Sequence, residues 1–236
     1  MKISIIIPAY NEEGNIIEVI TEIEKVLDIE HELIVVNDHS TDKTKALVEG
    51  LLDKYKNLRL VDNKKQPGFA NALLTGFAQA SSEILLPVMG DLCDDLSTIK
   101  IMYDKINEGY DIVCGSRYMP GGSQIGSHKF KAFLSCLGGR VSKLILGIHT
   151  QDISNAFKMY RKKIFDEINL EAQSFDISFE IPVKAHFKGF KITQVPTTWK
   201  GRTKGESSFK VFSMLSKYIK IFFWALWQRL NFKKNA

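Results

Sequence analysis

The sequence contains few cysteines and no uninterrupted apolar run of membrane-spanning length. Its three cysteines, Cys93, Cys114 and Cys136, form no CxxC pair, which argues against a disulfide framework and a structural zinc site. A reducing compartment is therefore expected. No stretch approaches the roughly 20 apolar residues that cross a bilayer. Because Glu12 and Glu13 follow so soon after the first apolar run, we also expect no signal peptide at the start of the chain.

Acidic residues are scarce towards the carboxyl end. The 236-residue chain has a net charge of +5, but the segment from Trp199 onward holds nine Lys and Arg against one acid, Glu206, and so carries +8. A basic segment on a near-neutral body indicates an anionic partner, which a phosphate, a membrane surface or a nucleic acid would each provide. The overall composition, 44% hydrophobic and 25% charged, excludes a disordered or coiled-coil chain.

Short β-rich runs alternate with helical patterns through the first half of the chain. The predicted strands are Lys2–Ile7, Glu32–Val36, Leu58–Asp62, Glu83–Met89 and Asp111–Cys114, and the predicted helices are Asn15–Leu27, Thr41–Lys54, Ala70–Ala80 and Leu96–Asn107. This alternation predicts an α/β fold with a mostly parallel sheet and right-handed crossovers. Ligands of such sheets bind beyond the carboxyl ends of the strands, so we expect the functional residues in the loops there.

The second half of the chain is less regular. The predicted helices are Phe130–Leu146, Phe179–Phe187 and Phe209–Leu230, the predicted strands are Ala156–Tyr160 and Lys191–Val195, and the predicted loops are Gly121–His128 and Pro196–Ser208. No internal repeat or Pro/Ser-rich linker interrupts the pattern. We therefore expect one domain over residues 1–208, followed by an amphipathic basic helix within residues 209–236.

Three carboxylates follow the fourth predicted strand. Asp91, Asp94 and Asp95 lie within five residues, and such like charges repel one another unless a cation lies between them. Oxygen ligands of this kind suit Mg²⁺ or Mn²⁺ bridging a diphosphate. The alternative interpretation is that one Asp caps the next helix and the others are solvated.

The loops after the first three predicted strands are polar. The first two read PAYNEE and NDHSTD, and together they would suit a base and a ribose, although such residues before a helix are more often N-caps. In the third loop, Gly68 either lets the backbone approach a ligand or simply forms a turn.

The order of these motifs is more specific than any one of them. PAYNEE, NDHSTD, PGFANALLTGF, GDLCDD and CGSRYMPGG follow one another along the chain, and this order resembles that of family 2 glycosyltransferases of the GT-A fold. The later segments QDISNAFK and VPTTW, followed by RTKGESS, resemble motifs of the dolichol- and polyprenol-phosphate mannose synthases. The resemblance extends over about residues 2–210. It implies a GT-A-type fold, a nucleotide-sugar donor, a polyprenyl-phosphate acceptor and inversion of the anomeric carbon.

The resemblance implies a nucleotide pocket at the first strand ends. The residues that would line it are Pro8, Tyr10, Glu12 and Asp38. Gly68 would bring the backbone close to the same ligand.

The resemblance also implies which residues act on the sugar and the phosphates. Asp91 matches the second Asp of the family's metal motif, and we expect Asp94 to help it hold Mg²⁺ or Mn²⁺. Arg117 and Arg202 would meet phosphate charge. Asp152 would face the acceptor, and it would be the first choice of general base if that acceptor were a hydroxyl.

Several positions depart from the family's motifs. Met89 stands where the family has its first metal-binding Asp, and further departures are Asn37, His39, Asn155 and Ser208. Two alternative functions therefore stay open at this point. One is transfer to a glycan or lipid-sugar hydroxyl, and the other, argued from Met89, is a catalytically weak subunit that binds a nucleotide sugar.

The last predicted helix combines positive charge with an apolar, aromatic face. That face holds Phe209, Phe212, Leu215, Ile219, Phe222, Phe223, Leu226 and Leu230. Together with Tyr218, Trp224 and Trp227 it favours peripheral contact with the cytoplasmic side of a membrane. Packing on the domain itself or on a second copy of the chain is the alternative. No nucleic acid is expected as a partner, because the basic charge lies on an apolar helix rather than on a groove-reading motif.

Overall fold

The computed structural model describes residues 2–126, 129–202 and 211–232. The strands are β1 (Ile3–Ala9), β2 (His31–Asn37), β3 (Leu58–Asp62), β4 (Ile84–Pro87), β5 (Ile112–Ser116), β6 (Ser123–Ile125), β7 (Lys158–Arg161), β8 (Ile192–Pro196) and β9 (Thr198–Lys200). The helices are α1 (Ile16–Val26), α2 (Thr44–Glu49), α3 (Phe69–Gln79), α4 (Thr98–Asn107), α5 (Lys129–Leu146), α6 (Ile164–Glu167), α7 (Ile177–Phe187) and α8 (Val211–Phe232).

Seven strands form one sheet in the order β3-β2-β1-β4-β7-β5-β8. All of them run parallel except β7, which is antiparallel to both β4 and β5. The predicted α/β fold with a mostly parallel sheet is therefore confirmed. Because β7 runs the other way, its amino end lies at the edge where the other strands have their carboxyl ends. The segment before β7, which contains Asp152, thus joins the loops at that edge.

Helices cover both faces of the sheet, which is why β1 is apolar at every position except Ser4. Every residue of β1 is buried. Ile6 packs in a hydrophobic cluster with residues of α3, α7 and α8, whereas Ile5 and Ile7 pack with residues of α1 and α4. Gly76 of α3 lies so close to β1 that a Cβ there would come within 2.3 Å of the Ile6 side chain. Glycine therefore permits this helix to approach the sheet.

The two predicted loops each contain a strand, so both predictions were wrong in part. β6 lies within Gly121–His128 and β9 within Pro196–Ser208, and the two strands pair in parallel with Ser123 opposite Thr198. Three-residue strands leave no periodic pattern, and the pairing joins residues 75 positions apart, so the local sequence gives no indication of it. Residues 127–128 and 203–208 of those loops lie outside the described residues.

Besides shifts of one to three residues at the ends of other elements, the two short helices α2 and α6 differ from the predictions. α2 ends at Glu49 rather than Lys54, because beyond it the Leu51 and Leu52 amides bond three residues back and form turns. The single turn α6 was not predicted, since four residues are too few for a helical periodicity.

α8 packs on the domain with one side and exposes the other. Ala225 is fully buried, and the rings of Tyr218 and Trp224 lie 5.3 and 5.9 Å from Phe179 and Phe187 of α7. The exposed side carries Leu215, Ile219, Phe223, Trp227 and Leu230. The predicted apolar face is therefore divided between core and solvent, and Phe209 and the Phe212 side chain lie outside the described residues. No helix in the described ranges has the length and hydropathy to span a membrane.

Candidate active site

The loops after β1, β2 and β4 each hold a non-glycine residue with a positive φ angle. Asn11, His39 and Leu92 have φ of 52°, 60° and 56°. This conformation is unfavourable for a residue such as leucine, and strained backbone concentrates at functional sites. The Thr41 amide donates to Asn11 Oδ1 over 2.8 Å and so joins the first two loops. These three positive φ angles therefore occur in the same loops, at the carboxyl ends of the strands, that contain the sequence motifs.

Asp38 and Gly68 lie together beyond the carboxyl ends of β2 and β3. The Asp38 carboxylate is buried and accepts hydrogen bonds from Asn63 Nδ2 at 2.7 Å and from the Gly68 amide at 2.9 Å. Gly68 has φ of +147°, and the carbonyl oxygen of Gln173 lies 3.3 Å from where a Cβ would stand. Asp38 therefore fixes a turn that only glycine fits well.

Pro8 and Tyr10 occupy the neighbouring strand end. Pro8 is buried opposite Val36 of β2, and the Asp38 amide donates to the Ala9 carbonyl over 2.8 Å. The Tyr10 side chain is 55% exposed. The backbones of the β1 and β2 loops are thus held together, and an aromatic ring beside them is open to solvent.

Glu12, Asp91 and Arg202 meet although they come from three distant segments. Arg202 Nη2 donates to Asp91 Oδ2 over 2.8 Å, and Arg202 Nη1 lies 3.9 Å from Glu12 Oε1. All three side chains are largely shielded from water. Burial raises the pKa of Glu12, and the Arg202 charge opposes that rise. The guanidinium is therefore a cation held by two carboxylates.

Asp94 is close enough to interact electrostatically with Asp91 of this group and with a second pair of charged residues, Arg117 and Asp152. Burial, followed by repulsion from Asp91, raises the pKa of Asp94 to about 7, while Arg117 acts in the opposite direction. Its backbone forms a bridge with Trp199 of β9. Asp95, by contrast, accepts hydrogen bonds from the Ser97 amide and hydroxyl at 3.1 and 2.6 Å. Asp95 thus stabilises the turn just before α4, which leaves Asp91 and Asp94 as the acids next to the charged groups of the site.

The donor set suits a divalent cation that arrives with a diphosphate. In the described parts of the chain, no group of three or more His, Cys, Asp or Glu side chains is arranged to hold a metal ion by itself. Glu12 and Asp91 nevertheless already hold the cationic guanidinium of Arg202. Mg²⁺ and Mn²⁺ are commonly bound by one or two carboxylates together with substrate phosphate oxygens. The residues present therefore fit such an ion.

Arg117 and Asp152 form a buried, two-pronged ion pair. Arg117 Nε and Nη2 donate to the two Asp152 oxygens over 2.7 and 2.8 Å, and the Arg117 amide donates to Asp152 Oδ2 over 3.0 Å. Asp152 is fully buried. Arg117 Nη2 also donates to Ser135 Oγ of α5 over 3.2 Å, and Ser135 is hydrogen-bonded to Ser154. The guanidinium plane is thus fixed by two partners, Asp152 and Ser135.

A sequence model of the family described as Glycosyl transferase family 2 matches residues 4–169. The chain belongs to glycosyl transferase family 2. It is 29% identical over 231 residues to the dolichol-phosphate mannosyltransferase of Pyrococcus furiosus, and the match covers 95% of this chain but 64% of that protein. It is 26% identical over 234 residues to the polyprenol monophosphomannose synthase of Mycolicibacterium smegmatis, covering 96% of this chain and 88% of that protein. The chain thus spans less than two thirds of the archaeal relative.

A solved structure shares the fold of this family 2 glycosyltransferase. Glucosyl-3-phosphoglycerate synthase from Mycobacterium tuberculosis, in complex with Mn²⁺, uridine diphosphate and glucosyl-3-phosphoglycerate, superposes with a TM-score of 0.72. The match covers 95% of this chain and 80% of that one at 18% identity. At such low identity the likeness shows the GT-A fold alone.

Three side chains of this family 2 glycosyltransferase join the site without having been predicted. Asn63 directly follows β3, so the rule that ligands bind beyond strand ends would have found it. Ser135 lies in the middle of α5 and carries no local signal, whereas Ser154 lies before β7 in the segment QDISNAFK, which could have indicated it. The structure brings Asp38 to Gly68, Asp91 to Arg202 with Glu12, and Arg117 to Asp152.

Proposed function

We propose that this family 2 glycosyltransferase moves a sugar from a nucleotide sugar to a polyprenyl phosphate, in one displacement that inverts the anomeric carbon. The observation that carries this proposal is the buried bidentate pair of Arg117 and Asp152. Both oxygens of Asp152 are held by a guanidinium, which makes Asp152 a poor general base for a hydroxyl acceptor. A phosphate acceptor is already anionic and needs only to be oriented. The names of the two curated relatives support the same acceptor class.

The donor would bind across the ends of β1, β2 and β3. Asp38 and Gly68 would hold the nucleoside where the backbone turn leaves room for it, next to Pro8 and the exposed ring of Tyr10. The diphosphate would then lie towards Glu12. This orientation places the leaving group beside the Asp91 carboxylate, where positive charge is needed to stabilise it.

Asp91 and Asp94 would hold Mg²⁺ or Mn²⁺ at the diphosphate. When bound, such an ion neutralises charge on the leaving diphosphate. Met89 removes one carboxylate from the family's usual set, and Glu12 lies where it adds one. Arg202 would supply further positive charge to the phosphates.

Arg202 and a divalent cation would compete for Asp91. We expect Arg202→Met to raise the affinity of the protein for Mn²⁺ by about tenfold, because a shielded carboxylate then loses its resident cation. Titration followed by electron paramagnetic resonance measures this affinity, with and without a nucleoside diphosphate.

Arg59→Met provides the matched control for that titration. Arg59 Nη1 lies 3.4 Å from Glu32 at the other end of the sheet, so its removal frees a carboxylate away from the site. Its Mn²⁺ affinity is expected to equal that of the parent. An Arg202→Met protein that binds Mn²⁺ no more tightly than the parent would contradict the competition.

The acceptor would reach Arg117 from the side of α5 and α8, at the inner face of the cytoplasmic membrane. α5, which supplies Ser135 to Arg117, also exposes Phe130, Phe133 and Leu137. The two helices pack against each other, and α8 adds the exposed side that begins at Leu215. Exposed apolar and aromatic side chains on helices of this kind are typical of proteins that lie in the membrane interface. A second copy of the chain is the alternative partner for this surface.

We expect the double substitution Phe223→Ser with Trp227→Ser to lower binding to anionic vesicles by at least about tenfold. Each side chain is about 60% exposed, at 62% and 60%, so the substitution removes apolar area available to lipid without opening the core. Flotation with vesicles measures binding, and the melting temperature serves as the fold check. Deleting the whole helix would be a poorer test, because Ala225 is fully buried and its loss would uncover α7.

Ile17→Ser with Ile101→Ser is the matched control for the vesicle experiment. These residues are 42% and 46% exposed on α1 and α4, which cover the other face of the sheet. Their substitution is expected to leave vesicle binding unchanged. Equal binding by all three proteins would exclude α8 as the membrane contact, and loss of a dimer in solution instead would favour the second copy.

The proposed function is tested with the purified full chain and a panel of nucleotide sugars. Nucleoside diphosphates that raise the melting temperature identify the base, because a ligand that binds the native state must stabilise it. The matching nucleotide sugar is then supplied with a polyprenyl phosphate or with the corresponding free polyprenol. Transfer to the phosphate alone supports the proposal. Transfer to the free alcohol favours a hydroxyl acceptor, and nucleotide binding without transfer favours the weakly active subunit.

A further inference from the structure

Lys158 is a buried charged residue that the proposed reaction does not use. It is the first residue of β7, opposite Cys114 of β5, and its side chain is fully buried. Burial lowers the pKa of Lys158. Its Nζ donates to the carbonyl oxygens of Ile153 at 2.9 Å, of Ser178 at 3.1 Å, and of Asn155. Lysine is almost never fully buried unless its charge is paired. The burial of Lys158 and its hydrogen bonds to three carbonyl oxygens therefore indicate a specific role.

Two of those three carbonyl groups belong to the turn that presents Asp152. The Asn155 amide bonds back to the Asp152 carbonyl at 3.4 Å, and Asn155 Nδ2 donates to the Gly115 carbonyl of β5 at 2.9 Å. The third carbonyl, that of Ser178, lies in the first turn of α7. The ammonium therefore ties the turn between residues 152 and 155 to β7 and to α7 at once.

We propose that Lys158 is the positioning residue for the acceptor side of the site: it fixes the turn from Asp152 to Asn155 and, through Asp152, the Arg117 guanidinium. An ammonium suits this task because its three N–H groups match three converging carbonyl oxygens. An apolar side chain would leave those oxygens buried and unpaired, which disfavours the turn in this conformation. The consequence for transfer rests on the proposed function, whereas the consequence for the turn does not.

The test compares Lys158→Met with Arg161→Met. Arg161 lies at the other end of β7 and donates to the carbonyl oxygens of Ile106 at 2.6 Å and Tyr110 at 3.2 Å, so its removal deletes the same kind of contact away from the site. Lys158→Met is expected to lower kcat by about 30-fold or more with KM for the nucleotide sugar within about threefold. Arg161→Met is expected to keep kcat within about threefold, even where it lowers the melting temperature equally.

Hydrogen exchange of the backbone amides gives a readout that needs no activity. Lys158→Met is expected to speed exchange at residues 151–157, and Arg161→Met is not. Lys158→Gln, which keeps two N–H donors, replaces the methionine variant if that protein does not fold, and is expected to show smaller changes of the same kind. Unchanged exchange at 151–157, or losses of kcat that simply follow the melting temperatures of both variants, would overturn the proposal. If the parent transfers no sugar, the proposed function fails while the exchange comparison still decides the role of Lys158.

Discussion

Replacing Asp91 by asparagine is expected to lower sugar transfer by about three orders of magnitude while the protein stays folded. Asp91 Oδ2 accepts the 2.8 Å bond from Arg202, and the proposed function places this carboxylate beside the leaving diphosphate. Asparagine keeps the shape but removes the negative charge that attracts a cation, so stabilisation of the leaving group is lost. An electrostatic contact of this kind contributes about 3–4 kcal/mol to the barrier. Steady-state kinetics at saturating Mn²⁺ measures the loss.

Asp95→Asn is the matched control, because it removes a carboxylate from the same cluster. Asp95 accepts hydrogen bonds from the Ser97 amide and hydroxyl, and the side-chain oxygen of asparagine can accept the same two bonds. Its turnover is expected to stay within about threefold of the parent. Full activity of Asp91→Asn in the presence of EDTA would exclude the cation and leave Arg202 as the source of positive charge.

The strands and helices that flank the site were predictable because burial on both faces leaves a continuous apolar run. In β1 every residue from Ile3 to Ala9 is buried, and only helices on both sides of the sheet explain that pattern. The helical stripe Ile16, Ile20 and Ile23 is buried as its spacing requires. Such elements can be predicted because the spacing of apolar residues that defines each of them lies within the element itself.

Contacts between distant segments could not be predicted from the same signals. Arg202 and Asp91 are 111 residues apart, and Arg117 and Asp152 are 35 apart. The expectation that both arginines meet phosphate stays a prediction, and it gives no indication that each arginine already holds an aspartate. Those partners follow from the antiparallel course of β7 and from the pairing of β6 with β9. Neither feature has a local pattern in the sequence.

Lys158 shows the same limit for a single residue. A lysine at the start of a strand is ordinarily read as a solvated edge residue, because lysine is rarely buried. Here β7 lies inside the sheet between β4 and β5, so the side chain must find its hydrogen-bond partners in the interior. The position of the strand, which the sequence does not reveal, decides the role of the residue.

Arg117→Lys is expected to lower kcat by about 100-fold although the charge is kept. The guanidinium is bonded to both oxygens of Asp152 and to Ser135, and a single ammonium cannot reproduce that planar arrangement. A misoriented cation stabilises the phosphate charge less well, at a cost of about 3 kcal/mol in the transition state. Because the substitution leaves the turn held by Asp38 and Gly68 intact, KM for the nucleotide sugar is expected to stay within about threefold.

A double-mutant cycle with Asp152→Asn distinguishes orientation of Arg117 from general-base catalysis. If Asp152 acts by holding Arg117, its substitution releases the guanidinium. The kcat of the Arg117→Lys/Asp152→Asn protein is then expected to be no lower than that of the less active single variant. If Asp152 instead accepts a proton from a hydroxyl acceptor, the two substitutions act on separate steps and the two losses of kcat multiply. If the losses of kcat multiply, Arg117 and Asp152 do not act as one functional unit. That result would favour a hydroxyl acceptor over a phosphate acceptor.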